Sequence, residues 1–267
     1  MNKKIAIIGG GNLGIAIAEG LINNQFIQAD KMTITRRRTH LLEDLKGKGV
    51  SVLKDNKAAV KAADIIVLAI KPYQINDVLA EIQPELESDR HILISVVTGY
   101  SIKEIKSAVG DHISVFRAMP NTAIAIGEAM TCIATNNGSD DEIKMVINIF
   151  DQVGKAILIN EELMEAATVL GACGIAYSLR FIRAATQGGI EIGFDAKTAE
   201  LIASQTVKGA ANLILQEENH PEKEIDKVTT PQGCTIVGLN EMEHQGFSSS
   251  LIRGILASFN KILKIPH

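Results

Sequence analysis

The strongest constraint on the fold is the alternation of short apolar runs with helix-length segments through the first 160 residues. KKIAIIG (3–9), MTIT (32–35), VSVL (50–53), DIIVLAI (64–70), HILISVV (91–97) and HISVFRAM (112–119) have the length and aliphatic density of strands buried on both faces. Segments such as 12–23, 39–47 and 74–87 separate them with helical spacing. Near-continuous apolar strands joined in this way form a mostly parallel sheet with helices on each face. EAMTCIAT (128–135), a helix near 139–150 and KAILI (155–159) are predicted to complete it.

After Ile159 the pattern changes. ELMEAATVLGACGIAYSLRFIRAATQGGIEIG shows no strand alternation and few polar positions, which predicts a long buried helix ending near Gly188. The stretch 197–216 has 3.6-residue periodicity and is a second helix; 234–245 and 248–264 supply two more. The expected fold class is therefore an α/β Rossmann-like N-terminal domain over residues 1–160 and an all-α domain over 161–267. A helical domain of this size, with a first helix apolar on nearly all sides, cannot hide that surface alone, so a helical dimer interface or helix exchange is expected.

Composition removes several function classes. The net charge of −4 gives no electrostatic reason for a nucleic-acid or anionic-membrane partner. The three cysteines are odd in number and lack a CxxC pair, which fits reduced thiols in a cytoplasmic protein rather than a disulfide scaffold or zinc ribbon. The six histidines (His40, His91, His112, His220, His244, His267) lack metal-ligand spacing, so no metal site is expected and most of them should be exposed. No stretch reaches about 18 uninterrupted apolar residues, and the apolar run at the start is too short for a signal peptide.

GGGNLG places G-x-G-x-x-G at Gly9, Gly11 and Gly14, directly after the first strand and at the opening of a helix. That context makes it a dinucleotide fingerprint. Gly9 permits the tight turn, Gly11 lets backbone approach a pyrophosphate, and Gly14 allows close helix–strand packing. The helix start at Asn12, Leu13 and Gly14 offers unpaired N–H groups to phosphate oxygens. Sites for NAD usually end the second strand in Asp or Glu, which binds the ribose 2′-hydroxyl. Here Thr35 takes that place and is followed by Arg36, Arg37 and Arg38. Guanidinium pairs with a 2′-phosphate that a carboxylate would repel, so NADPH/NADP is favoured and NADH is the weaker choice. Read on their own, the three arginines also form a solvated helix entry, an alternative that suits Arg38 best.

Taken in order, GGGNLG, DN (55–56), AIKPY (69–73), RAMPNT (117–122), GACGIAY (171–177) and VTTPQGCTIVGL (228–239) resemble the pyrroline-5-carboxylate reductase family over essentially the whole chain. The resemblance implies NADPH-dependent reduction of 1-pyrroline-5-carboxylate to L-proline, a C-terminal dimerisation domain, and a homodimer or larger ring of dimers. It puts Asn56 at the adenosine end of the cofactor and Ala69, Ile70, Lys71 and Pro72 beside the ribose and nicotinamide, with Val97 and Thr98 nearby. Asn56 reads equally as a helix cap and Lys71 as a solvated side chain, while Asn121 has a sufficient local reason in its Pro-Asn turn.

The same resemblance matches Thr235 to the family's substrate-contacting threonine, and the helix start around it adds Thr230, Gly233 and Cys234 as candidate substrate contacts. The 228–239 segment holds no acid or base, which suits a cyclic imine that solvent can protonate. Backbone N–H groups of Gly233, Cys234 and Thr235 at a helix start suit the carboxylate, and the Thr235 hydroxyl suits the ring nitrogen as an orienting, catalytic contact. Taken alone, the two threonines also serve as helix caps. Cys234 reads as a packing thiol and Tyr177 as a core residue.

The chain departs from the family pattern in several places. Gly171-Ala172-Cys173-Gly174-Ile175-Ala176 stands where Ser-Gly-Ser-Gly-Pro-Ala is common, and Arg183, Gln232, Cys234 and Ala123 replace an acid, a glycine, a threonine or alanine, and a proline. Two other readings remain. A β-hydroxyacid dehydrogenase of similar layout would want a lysine on the first helix of the second domain, and Glu161–Gly188 contains none. The other is a paralogue that binds NADP without turnover.

Overall fold

The computed structural model describes residues 3–217 and 219–264, so His267 lies outside the described residues. Its sheet has eight strands: β1 (Ile5–Ile8), β2 (Met32–Thr35), β3 (Ser51–Leu53), β4 (Ile65–Leu68), β5 (Ile92–Ser95), β6 (Ser114–Met119), β7 (Ala129–Thr135) and β8 (Gly154–Leu158). Their order is β3-β2-β1-β4-β5-β6-β7-β8, parallel throughout except for β6 against β7. The first six strands thus have the doubly wound order, and the chain crosses from one side of β1 to the other after β3.

The helices of this half are α1 (Asn12–Asn23), α2 (Glu43–Gly47), α3 (Asn56–Lys61), α4 (Ile75–Ile82), α5 (Ile102–Val109) and α6 (Asp140–Asp151). Strand alternation sorts the core into two layers. Ile5, Ile7 and Ile34 pack with Ile17 and Leu21 of α1 on one face. Ala6, Ile8 and Leu68 pack with Val60 of α3, Leu79 of α4 and Ile105 of α5 on the other. The expected strands all form. The segment 39–47 splits into a 3-10 turn at Thr39–Leu42 and α2, and 74–87 ends as a 3-10 turn at Gln83–Glu85 beside Pro84.

Beyond β8 come α7 (Met164–Ala167), a π-helical turn at Thr168–Cys173, α8 (Gly174–Glu191), α9 (Ala196–Glu217), α10 (Pro221–Val228), α11 (Cys234–His244) and α12 (Phe247–Ile262). Helix α10 was not expected from hydrophobic periodicity. Its signal was local: Pro221 at its first position and Glu222 and Glu224 in the first turn, where the helix dipole favours them.

Backbone contacts divide the described residues into two compact units: 3–173 together with 261–264, and the rest of 174–260. Within the larger unit, Arg117 on β6 is buried and bonds Glu161 at 3.2 Å and Glu165 at 3.1 Å. Glu161 also accepts the Ile102 N–H at 2.6 Å, so this charge cluster joins β6, α5 and the approach to α7.

Within the smaller unit α8 packs on α9, Phe181 meets Phe247 edge-on, and the Tyr177 hydroxyl lies 2.6 Å from Ser258 Oγ. Only Thr186 and Ala199 are buried among its described residues. The expectation of a buried helix is corrected here: Leu179 and Phe181 of α8 are exposed, as are Leu201, Leu215, Val237 and Leu256 on later helices. The cause is the one anticipated from its composition, too much apolar surface for one copy of the unit to cover. Glu161–Glu191 is also long and apolar enough to cross a membrane by length and composition.

One buried residue makes stability depend on pH. His91 is fully enclosed; its Nδ1 accepts the Glu87 N–H at 2.8 Å and its Nε2 lies 3.1 Å from the Ala63 carbonyl. Burial, with the Arg90 charge second, pushes its pKa below the usual imidazole value. The unfolded chain therefore takes up the proton more readily, so this contribution is complete above about pH 6.5 and is lost as pH falls toward the depressed folded value. The stability gap between wild type and His91→Asn, measured by urea denaturation, should narrow between about pH 7.5 and 5.5. A constant gap would contradict the neutral, buried ring.

Candidate active site

A cleft of about 1340 Å3 opens at the carboxyl ends of β1, β2 and β4, where a doubly wound sheet binds ligands. Its floor is the turn from β1 into α1. Gly9 has φ of +111°, and a Cβ there would lie 2.4 Å from the Ala69 carbonyl oxygen. A Cβ on Gly14 would lie 2.1 Å from the Gly9 carbonyl oxygen. Both glycines are thus demanded by the protein's own packing. Gly11, the N-cap of α1, differs: a Cβ there would meet nothing within 4 Å. The space beside it opens into the cleft, together with Asn12 and Leu13. With no side chain capping α1, its first N–H groups are left to a ligand or to water.

The end of β2 forms one wall. The Gly10 N–H bonds the Thr35 carbonyl at 2.7 Å, and the buried Thr35 hydroxyl accepts the Gly9 N–H at 3.3 Å while donating to Asn56 Oδ1 at 2.7 Å. Asn56 Nδ2 donates to Glu81 at 2.9 Å. The helix-cap alternative for Asn56 fails, because Asp55 caps α3 by accepting the Ala58 N–H at 3.1 Å. Arg36, Arg37 and Arg38 all line the cleft, and none of them forms an ion pair with a carboxylate among the described residues. Lys54 and Lys71 add to the positive wall.

Ala69, Ile70 and Lys71 line the cleft as they leave β4. Pro72 does not line it; it opens the 3-10 turn Pro72–Gln74 and holds Lys71 extended at φ −76°, ψ 146°. Beyond β5 the cleft residue is Val96. Val97 packs into the opposite core layer, as strand alternation requires, and Thr98 turns its hydroxyl toward the Met119 sulfur, so neither lines the cleft. Sequence reasoning missed Thr122, Ile124 and Ala125, which do line it, and gave Asn121 only a local role. Asn121 Oδ1 does take the local Ala123 N–H at 3.1 Å, but its Nδ2 donates to the Gly171 carbonyl at 3.2 Å, beside the cleft residue Ala172. Proline and asparagine between β6 and its following turn were the available signal.

In the smaller unit, Thr230-Pro231-Gln232-Gly233 is a turn closed by the Gly233 N–H on the Thr230 carbonyl at 3.0 Å. Gly233 therefore brings no free N–H, which corrects its expected role; it is the N-cap of α11, where a Cβ would lie 2.5 Å from Thr230 Oγ1. The donors left at the helix start are those of Cys234, Thr235 and Ile236. No side chain caps α11, so neither Thr230 nor Thr235 serves as its cap. Gln232 has φ of +58°, a left-handed backbone that glycine adopts freely and that costs another residue about 1 kcal/mol. Cys234 is exposed rather than packed, and burial raises the Cys132 thiol pKa. No cluster of three or more metal-ligating side chains occurs among the described residues.

Two family models match this chain. Residues 4–99 match one described as NADP oxidoreductase, coenzyme F420-dependent, and residues 161–265 match one described as pyrroline-5-carboxylate reductase dimerisation. The chain is 41% identical to pyrroline-5-carboxylate reductase 2 of Dictyostelium discoideum over 98% of its own length and 93% of that protein. It belongs to the pyrroline-5-carboxylate reductase family. Identity to pyrroline-5-carboxylate reductase 1 of the same organism is 46% over 97% of this chain, which spans about half (49%) of that longer relative. The crystal structure of Plasmodium falciparum pyrroline carboxylate reductase with NADP bound superposes at a TM-score of 0.87 and 28% identity, covering 98% of this chain and 97% of that one.

In a member of this reductase family the free arginines after β2 have a direct consequence. Replacing Arg36 and Arg37 together by Ala should weaken NADPH by about tenfold or more, at roughly 1.5–3 kcal/mol per charge-assisted bond, and leave NADH nearly unchanged. Titration of both coenzymes by fluorescence checks this. An unchanged NADPH-to-NADH ratio would make the two arginines bystanders.

Proposed function

We propose that this chain reduces 1-pyrroline-5-carboxylate to L-proline with NADPH. The observation that carries the reading is the β1–α1 cleft, whose β2 wall ends in arginines instead of a carboxylate, in a chain of this family. Bound in that cleft, NADPH supplies the hydride. The open backbone at Gly11 and the first N–H groups of α1 suit its pyrophosphate, and Arg36 and Arg37 suit its 2′-phosphate.

The remaining demands are modest. The backbone N–H groups of Cys234 and Thr235 bind the substrate carboxylate in this reading, and the Thr235 hydroxyl orients the ring nitrogen. Thr230 and Gly233 act by shaping the turn that presents those donors. The segment 228–239 contains no general acid, so the imine is protonated by solvent before it accepts hydride at carbon, and the product is the cyclic amine. Val97, Thr98 and Pro72 act by supporting the cleft wall beside the cofactor.

Division of labour between residues 1–160 for the cofactor and 161–267 for substrate and self-association belongs to the same proposal. The exposed apolar side chains of the smaller unit support a second copy as their cover, since each fully buried one adds about 1.5–3 kcal/mol. We extend this to a homodimer that can build a ring of dimers, located in the cytoplasm in keeping with its three free cysteines and using neither membrane nor nucleic acid.

Oxidation of NADPH, followed by absorbance with pyrroline-5-carboxylate as acceptor, tests the reading, and turnover is expected. Thr235→Ala should lower kcat by about tenfold or more while leaving NADPH affinity within about twofold, the pattern of a contact made to the reacting centre. NADPH binding without turnover in the wild type would contradict the assignment, and equal losses in both quantities would remove Thr235 from its role.

A further inference from the structure

The cleft holds one residue that its chemistry does not obviously want. Glu81, on the last turn of α4, is the one carboxylate among the lining side chains, which otherwise include Arg36, Arg37, Arg38, Lys54 and Lys71. An acid facing a polyanionic ligand costs binding energy unless it does something else. Its hydrogen bonds indicate what that is. Glu81 accepts from Asn56 Nδ2 at 2.9 Å, Asn56 Oδ1 accepts from the Thr35 hydroxyl at 2.7 Å, and Thr35 Oγ1 accepts from the Gly9 N–H at 3.3 Å.

We infer that Glu81 is a positioning residue for coenzyme binding, which acts through Asn56 and Thr35 to hold the glycine turn. Hydrogen-bond direction ties the four residues together. A carboxylate only accepts, so Asn56 must turn its NH2 toward Glu81 and its carbonyl toward Thr35. Thr35 must then donate to Asn56, which leaves its oxygen lone pairs for Gly9. The first two links have one orientation because the acceptor-only end fixes it, and the last because the Gly9 N–H only donates. Were residue 81 a glutamine, the Asn56 amide could flip, and Thr35 would no longer be held as a donor. The inference rests on the coenzyme reading above, and it adds a residue on α4, outside the glycine turn and the arginines, that no sequence motif marks.

The charge and the relay make opposite forecasts for Glu81→Gln, which keeps the shape and removes the charge. If Glu81 were only a charge, the variant would bind NADPH more tightly. As the anchor of a relay ending at Gly9, its loss should instead weaken NADPH and NADH alike by about fivefold, the factor one oriented hydrogen bond is worth. The turn serves the pyrophosphate common to both coenzymes, so their ratio should stay constant, coenzyme KM should rise and kcat should not change. Thr35→Val breaks the middle link, so Thr35→Val/Glu81→Gln should bind no more weakly than Thr35→Val alone. Fluorescence titration of both coenzymes against wild type, each variant first shown folded by circular dichroism, reads all of these. Tighter NADPH, an effect confined to NADPH, additive losses in the double variant, or no change would each overturn the inference. A wild type that binds neither coenzyme would instead overturn the coenzyme reading itself.

Discussion

The close approach of Gly14 to the Gly9 carbonyl sets the geometry on which the larger unit depends. With no room for a Cβ at Gly14, α1 starts directly against the end of β1, and Gly9 turns the chain beneath Ala69 through a positive φ. These two contacts aim the N-terminus of α1 along the carboxyl edge of the sheet. Everything else in the cleft is arranged around that aim: Thr35 holds the turn from β2, Lys71 rises from β4, and Val96 closes the side from β5. The energetic logic is that of a site made largely of backbone. Donors fixed by a helix and a turn need no reorganisation when an anion arrives.

Much of this was legible because it is written in local patterns. Doubly buried strands show as aliphatic runs, and a glycine fingerprint between strand and helix shows as a spacing. The family resemblance then carried the reading through to the far end of the chain. What sequence could not show were contacts between distant segments. Glu81 meets Asn56 across 25 positions, and Asn121 meets Gly171 across 50, so neither has a motif. Val97 lies off the cleft for a physical reason of one residue: successive side chains after β5 face opposite ways, so Val96 lines the cleft and Val97 packs in the other core layer. The commitment of the Gly233 N–H to Thr230, and the left-handed backbone of Gln232, likewise belong to turn geometry, which composition leaves open.

The helical unit fails on its own terms and succeeds on others. Composition anticipated that it could not bury its apolar surface, and in the single chain the helices pack pairwise without building a core. A surface of this kind is selected for contact, and the dimerisation family model spans the same stretch. The apolarity of Glu161–Glu191, sufficient in length to cross a membrane, then has a sufficient cause in self-association. The two units thus solve different problems. One is a self-sufficient core that presents backbone donors, and the other is a surface completed by association.

On the coenzyme reading the glycine turn is shaped partly by packing and partly by a ligand, and Gly11 separates the two. A Cβ at Gly11 meets no protein atom within 4 Å, so Gly11→Ala should leave the fold intact, at a cost of no more than about 1 kcal/mol for a poorer N-cap. The decisive measurement is the NADPH dissociation constant of that variant beside its thermal midpoint. Affinity should weaken by about tenfold or more, with the midpoint lowered by only a few degrees. Wild-type affinity for NADPH would contradict it, because the cleft's one spacious glycine would then not face the coenzyme.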